Sequence, residues 1–215
     1  MPSSLKVLIL DFDGVVIESN AVKTQAFEKV FSRFPQYSEA MMAFHHAHVS
    51  VSRFAKFEFL AELMGRRDDV ALKSSLAADF SRHVLEGMMT VPLVPGAEAF
   101  LQMAKARLPL YLASVTPEPE LKQILAERGL AHWFHDVYGC PPWTKPDAIR
   151  HVLDKKNVKP EDALLIGDSA GDQRAAAETG VRFLARDSGL SFDEPRPLAF
   201  ADLHEISHHM KEHFV

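Results

Sequence analysis

Five short apolar runs limit what this chain can fold into. The first, in LKVLILDFDG, puts Val7, Leu8, Ile9 and Leu10 in succession and then turns abruptly to Asp11 and Asp13. The others are LPLYLAS (108–114), which ends at Ser114, the weaker HDVYGC (135–140), ALLIGD (163–168), which ends at Asp168, and VRFLAR (181–186), which follows Gly180. Runs of this length and continuity read as strands buried on both faces. Helical patterns separate them at 97–107, 117–129, 145–157 and 171–180. The second of these has acidic residues in its first turn and Gly129 as a stop signal.

Strand–helix alternation of this kind implies an α/β fold: a Rossmann-like parallel sheet core with helices on both faces. In such sheets ligands bind beyond the carboxyl ends of the strands. Residues 19–90 break the alternation, with no clear strand. Val22, Ala26, Phe27, Val30, Phe31 and Phe34 recur at helical spacing, as do Phe54, Phe57, Leu60, Ala61 and Met64, and then Leu72, Leu76, Phe80 and Val84. The expected organisation is a catalytic core made of residues 1–16 and 92–215, with an α-helical cap inserted at 17–91. An insert directly behind the Asp11–Asp13 strand is placed to act as a lid. The tail beyond Leu190 is punctuated by proline and ends in a short helix, whose HEISHHMKEH reads as a solvated face.

A length of 215 residues suits one domain with an insert. The net charge of -5, with no Lys/Arg-rich run, argues against a nucleic-acid partner. The single cysteine, Cys140, excludes an intrachain disulfide framework and a multi-cysteine zinc site. MPSSLKVLILDF lacks the pattern of a signal peptide, and no apolar run reaches the roughly 18–20 residues needed to cross a membrane. The expected location is cytoplasmic, as a monomer or homodimer.

The chemistry gathers at the strand ends. Residues i and i+2 of a strand point to one side, so Asp11 and Asp13 can face one site while Phe12 turns into the core. Gly14 then allows a sharp turn. Taken alone, this reads equally as an Asp-Gly turn. In LLIGDSAGD, Asp168 ends a second buried run and Asp172 follows at a helix start. Helix capping accounts for one such group, Ser169 for instance, but not for four carboxylates at one sheet edge. Oxygen ligands gathered this way suit a hard divalent cation, Mg²⁺ before Zn²⁺. Ser114, in LASVTP, is either a helix cap or a phosphate contact beside a helix start. Lys145 opens a helix against its dipole; it is either solvated or faces the carboxylates and a bound anion. Together these groups are what phosphoryl transfer through an aspartyl-phosphate requires.

In these four places the sequence resembles the haloacid dehalogenase-like hydrolases. DFDGV is similar to the first motif of that family, Ser114 in LASVT to the second, Lys145 to the third, and GDSAGD to the fourth, in that order along the chain. The insert resembles the helical cap of the subgroup that includes phosphoglycolate phosphatase and β-phosphoglucomutase. The resemblance implies that Asp11 attacks phosphorus and that Asp13 protonates the leaving oxygen and then activates water. It implies that Ser114, Val115, Gly14 and Lys145 surround the phosphoryl group. Mg²⁺ would be held by Asp11, the main-chain carbonyl of Asp13 and Asp168, with Asp172 acting through water or behind the ligands. An acid at Asp13 favours phosphate over halide chemistry, because an alkoxide needs a proton on leaving and a halide does not.

The cap is expected to choose the substrate. SVSRFAKFEFL resembles a substrate-contacting cap segment, which makes Arg53 either a substrate contact or a cap-surface arginine. His45, His46 and His48 read as polar cap surface rather than a metal tract. Lys56 lies three residues after Arg53, and no apolar pocket pattern singles out one lysine. The expected activity is hydrolysis of a small phosphorylated metabolite, such as a sugar phosphate. The rivals are a phosphomutase, a phospho-accepting signalling module and a silent binding protein.

Overall fold

The structure, a computed structural model, describes residues 5–213. Among them, six strands form one wholly parallel sheet: β1 (Val7–Leu10), β2 (Leu110–Ser114), β3 (Asp136–Gly139), β4 (Ala163–Gly167), β5 (Arg182–Arg186) and β6 (Ala199–Phe200). Their order across the sheet is β3-β2-β1-β4-β5-β6. β1 is central, with Ile9 opposite both Tyr111 and Leu165, so all four of its residues are fully buried. That is why it carries an unbroken apolar run rather than an alternating one.

Helices α7 (Lys145–Lys156) and α8 (Ala170–Thr179) cover one face of the sheet. Ile149, Val152, Ala175 and Ala176 from them pack with Val7, Ile9, Tyr111 and Leu165. The connections through α5 (Ala97–Lys105) and α6 (Glu118–Glu127) run across the sheet in the other direction. The right-handed crossover rule therefore puts them on the opposite face, where Leu8, Leu10, Leu112 and Ile166 are equally inaccessible. The last helix, α9 (Leu203–His213), buries Leu203, Ile206 and Met210 and leaves its histidines outside or half-buried, as the tail pattern suggested.

The chain divides into two compact units, residues 1–18 with 92–215, and residues 19–91. The crossing into the second unit comes after Glu18, two residues later than the sequence suggested. Ile17 bridges both Asp13 and Leu93, and the Glu18 N–H donates to the Pro92 carbonyl, which fastens both residues to the first unit.

The second unit is four helices, α1 (Asn20–Phe31), α2 (Pro35–Ala47), α3 (Arg53–Leu63) and α4 (Val70–Met88). Its core is aromatic, with the Phe27 and Phe80 ring centroids 4.2 Å apart and Phe31 and Phe57 beside them. The apolar spacing had marked α1, α3 and α4 but not α2, which buries only Met41 and His45. Two readings of the insert are corrected. Phe54, placed on the apolar face of α3 by its spacing, is exposed. His45, read as polar surface, lies in the core, 2 % exposed. It links a buried polar chain: Lys56 Nζ is 3.0 Å from His45 Nδ1, and His45 Nε2 is 3.1 Å from Thr24 Oγ1. His46 and His48 are exposed as expected. No helix among the described residues is long and apolar enough to cross a membrane.

Candidate active site

The parallel register aligns the ends of β1, β2 and β4, and each strand hands over to a polar residue at the same edge. Leu10 pairs with Leu112 and Ile166, so Asp11 emerges at this edge and Ser114 and Asp168 follow one residue beyond its level. The chain leaves β1 for β2 and β3 on one side and returns to β4 and β5 on the other. The site therefore sits at the topological switch point, where adjacent loops diverge and leave a crevice.

Asp11, Asp168 and Asp172 are all buried, and each offers a carboxylate oxygen within 4.8 Å of the others. Lys145 reaches into this group. Its Nζ is 3.1 Å from Asp11 Oδ1 and also donates to Asp172 Oδ1, and its side chain is only 9 % exposed. Thr144 caps α7 by accepting from the Asp147 N–H, which fixes the start of the helix and points Lys145 inward. Burial pulls the ammonium toward losing its proton, but the carboxylates of Asp11 and Asp172 overcome this and hold it above its usual range. For Asp11 the balance runs the other way. Burial pushes its carboxyl well up, Lys145 opposes this, and Asp172, Asp168 and Asp13 add to the rise. A cluster with this excess of buried negative charge is built for more positive charge than Lys145 supplies. Three buried carboxylate oxygens at this spacing fit a hard, oxygen-preferring divalent ion.

Asp172 is held at both carboxylate oxygens. Its Oδ2 accepts from the Ser169 N–H (3.2 Å) and hydroxyl (2.6 Å), and its Oδ1 accepts from Lys145. The Ser169–Asp172 pair thus caps α8, and the same aspartate also accepts from Lys145. With both oxygens engaged, Asp172 orients its neighbours. Gly167 leaves the room for this, since a Cβ there would sit 2.2 Å from the Asp172 Cβ.

Asp13 faces the same edge, 6 % exposed. Its Oδ2 accepts from Thr116 Oγ1 at 3.1 Å and Ser114 Oγ at 3.4 Å. Gly14 follows at φ 71° and donates its N–H to the Ile17 carbonyl, closing the turn that ends the first segment. Val115, half-buried, bridges Ser114 and Thr116 in the loop after β2. Arg53 lies in the helical unit: its Nη1 donates to Ser81 Oγ (2.9 Å) and its guanidinium lies 4.4 Å from the Phe80 ring centroid.

Two residues at the site escaped the sequence reading. Thr116 is one; its signal was a second hydroxyl two residues after Ser114, which shares its side of an extended chain. Arg186 is the other, and its signal was a cation closing a buried run, just as Asp168 does. It makes a two-pronged ion pair with Glu18 (2.5 and 3.1 Å) and donates to the Gly14 carbonyl (3.3 Å), which braces the turn carrying Asp13.

Residues 5–180 match the family model for haloacid dehalogenase-like hydrolases. The chain is 29 % identical to a phosphoglycolate phosphatase of Rhodospirillum rubrum, over 86 % of this chain and 81 % of that one. It is likewise 29 % identical to phosphoglycolate phosphatase 1 of Pseudomonas aeruginosa, over 90 % and 73 %. Among solved structures, a predicted phosphatase from Clostridium acetobutylicum superposes with a TM-score of 0.79 at 21 % identity, covering 98 % of this chain and all of that one. A β-phosphoglucomutase from Clostridium difficile gives 0.77 at 14 %, covering 98 % and 97 %, a likeness of fold alone. With the match spanning most of the chain, from β1 through α8, the chain belongs to the haloacid dehalogenase-like hydrolases.

Proposed function

We propose that the protein is a Mg²⁺-dependent phosphomonoester hydrolase, cytoplasmic, acting on a small phosphorylated metabolite through an aspartyl-phosphate on Asp11. The observation that carries the reading is Lys145. Its ammonium, buried between Asp11 and Asp172, is a fixed positive charge beside the carboxylate that would attack.

On this reading an oxygen of Asp11 forms a bond to phosphorus as the bond from phosphorus to the leaving oxygen breaks. Asp13 gives that oxygen its proton, so the product leaves as an alcohol rather than an alkoxide. In the second half Asp13 takes a proton from water, the water oxygen bonds to phosphorus, and the bond to Asp11 breaks. Lys145 and Ser114 hold the phosphoryl oxygens, where charge accumulates in the transition state. Asp11, the Asp13 carbonyl and Asp168 would hold the Mg²⁺, which when bound neutralises the phosphoryl group and the carboxylates around it. The curated relatives make 2-phosphoglycolate the first substrate to try, with sugar phosphates beside it.

The test is phosphate release from such a panel plus an aryl phosphate, with Mg²⁺ or a chelator, for wild type and Asp11→Asn. Metal-dependent release from wild type, abolished in a folded Asp11→Asn variant, is the expected result. Turnover retained by that variant would refute the nucleophile assignment. Release from no compound by folded wild type would overturn the hydrolase reading and turn attention to mutase chemistry.

A further inference from the structure

Resting on that reading of Asp13, we infer that Thr116 is a positioning residue for the acid–base step, holding the Asp13 carboxylate in place through both halves of the reaction. The Thr116 hydroxyl is the nearer of the two on Asp13 Oδ2, at 3.1 Å against 3.4 Å for Ser114. Thr116 is also firmly mounted. Its N–H donates to Ser114 Oγ (3.1 Å), and its carbonyl accepts from the Cys140 N–H (3.0 Å) in the loop after β3. Gly139 allows that approach, since a Cβ there would lie 2.5 Å from the Thr116 carbonyl oxygen. The side chain is 1 % exposed and β-branched, so its rotamer is fixed by its own backbone and its surroundings. Ser114 is asked to face a phosphoryl oxygen, and Thr116 is left to steady Asp13.

The choice of a hydroxyl suits this task. It donates to a carboxylate and, by turning its proton away, accepts from a carboxylic acid. An ammonium or guanidinium can only donate, so it would hold the ionised form and oppose the acid. A residue that must give a proton in one half-reaction and take one in the next needs a neighbour that serves both states. Loss of this hold lets the carboxylate swing out of line with the leaving oxygen, and a misplacement of about 1 Å costs up to roughly 10²-fold in rate.

The experiment measures kcat/KM, which reports the steps up to release of the alcohol. Its substrates are 4-nitrophenyl phosphate, phenyl phosphate and an alkyl phosphate, for wild type, Asp13→Asn, Thr116→Val, Thr116→Ala and Thr116→Ser. A nitrophenolate leaves without protonation, whereas an alkoxide needs it. Thr116→Val, which keeps the shape without the hydroxyl, is expected to lose roughly 10–100-fold on the alkyl phosphate and under about 3-fold on the nitrophenyl ester. Thr116→Ser should restore most of the loss. Thr116→Ala provides the same comparison should the valine variant fold poorly. Equal losses on all three substrates, or none, would overturn the assignment. A steep dependence in Asp13→Asn with none in the Thr116 variants removes Thr116 alone. A flat response in Asp13→Asn as well removes the acid–base role of Asp13 and this inference with it.

Discussion

His45 offers a quantitative test of the helical unit. Burial first, then the charge of Lys56 and the proximity of His46, push the imidazole from its usual 6.5 down to about 3. Lys56, 1 % exposed, is itself pushed from 10.5 to about 7 by burial and then by Lys23. Its ammonium has an acceptor in His45 Nδ1, another in the Val49 carbonyl (3.2 Å), and the Phe27 ring 4.6 Å away. Protonating His45 would remove the first acceptor and set two cations side by side. The folded state therefore binds fewer protons than the unfolded chain between pH 6.5 and 3, and stability falls with acidification across that window. At about 1.4 kcal/mol per pH unit, lowering the pH from 6.5 to 5.0 should cost about 2 kcal/mol from this one group. Lys56 is charged in both states there and contributes to the slope only between pH 7 and 10.5, where stability should rise with pH. The assay is hydrogen exchange of α1–α3 amides together with urea denaturation, from pH 5.0 to 7.5, for wild type and His45→Gln. Glutamine keeps an acceptor for Lys56 and a donor for Thr24 but does not titrate. The wild-type profile should slope more steeply by about 1.4 kcal/mol per pH unit below 6.5. Parallel profiles, or an imidazole that titrates near 6.5 by NMR in the folded protein, would refute the reasoning.

Two further tests address the site. Gly167→Ala forces a Cβ against Asp172; it should cost about 1–3 kcal/mol in stability through overpacking and roughly 10²-fold in turnover by displacing Lys145, and unchanged kinetics would show that Asp172 does not set the lysine. Mg²⁺ at about 100 times its Kd should stabilise the wild type by roughly 2.7 kcal/mol in thermal denaturation and do far less for Asp168→Asn; equal shifts would place the ion elsewhere.

The candidate site was legible because its residues punctuate buried strands. A carboxylate or hydroxyl that closes an apolar run must lie at the sheet edge, and the parallel register carries Asp11, Ser114 and Asp168 there together. The helical unit was harder to read. Periodicity reports the average face of a helix, so it marked α1, α3 and α4. It missed α2, whose buried side is one methionine and one histidine, and it misplaced Phe54, which faces outward in the first turn of α3 between the buried Arg53 and Lys56.

By itself the sequence determined the alternating fold and the identities of the acids, because burial on both faces of a strand and polarity at its end are written locally. Tertiary structure alone decided the partnerships. Thr116 meets Asp13 across 103 residues, Arg186 meets Glu18 across 168, and Lys56 meets His45 only once three helices pack. Whether a polar side chain becomes solvated surface, a cap or a working group depends on what packing brings within about 3 Å of it. No local pattern of the chain carries that information.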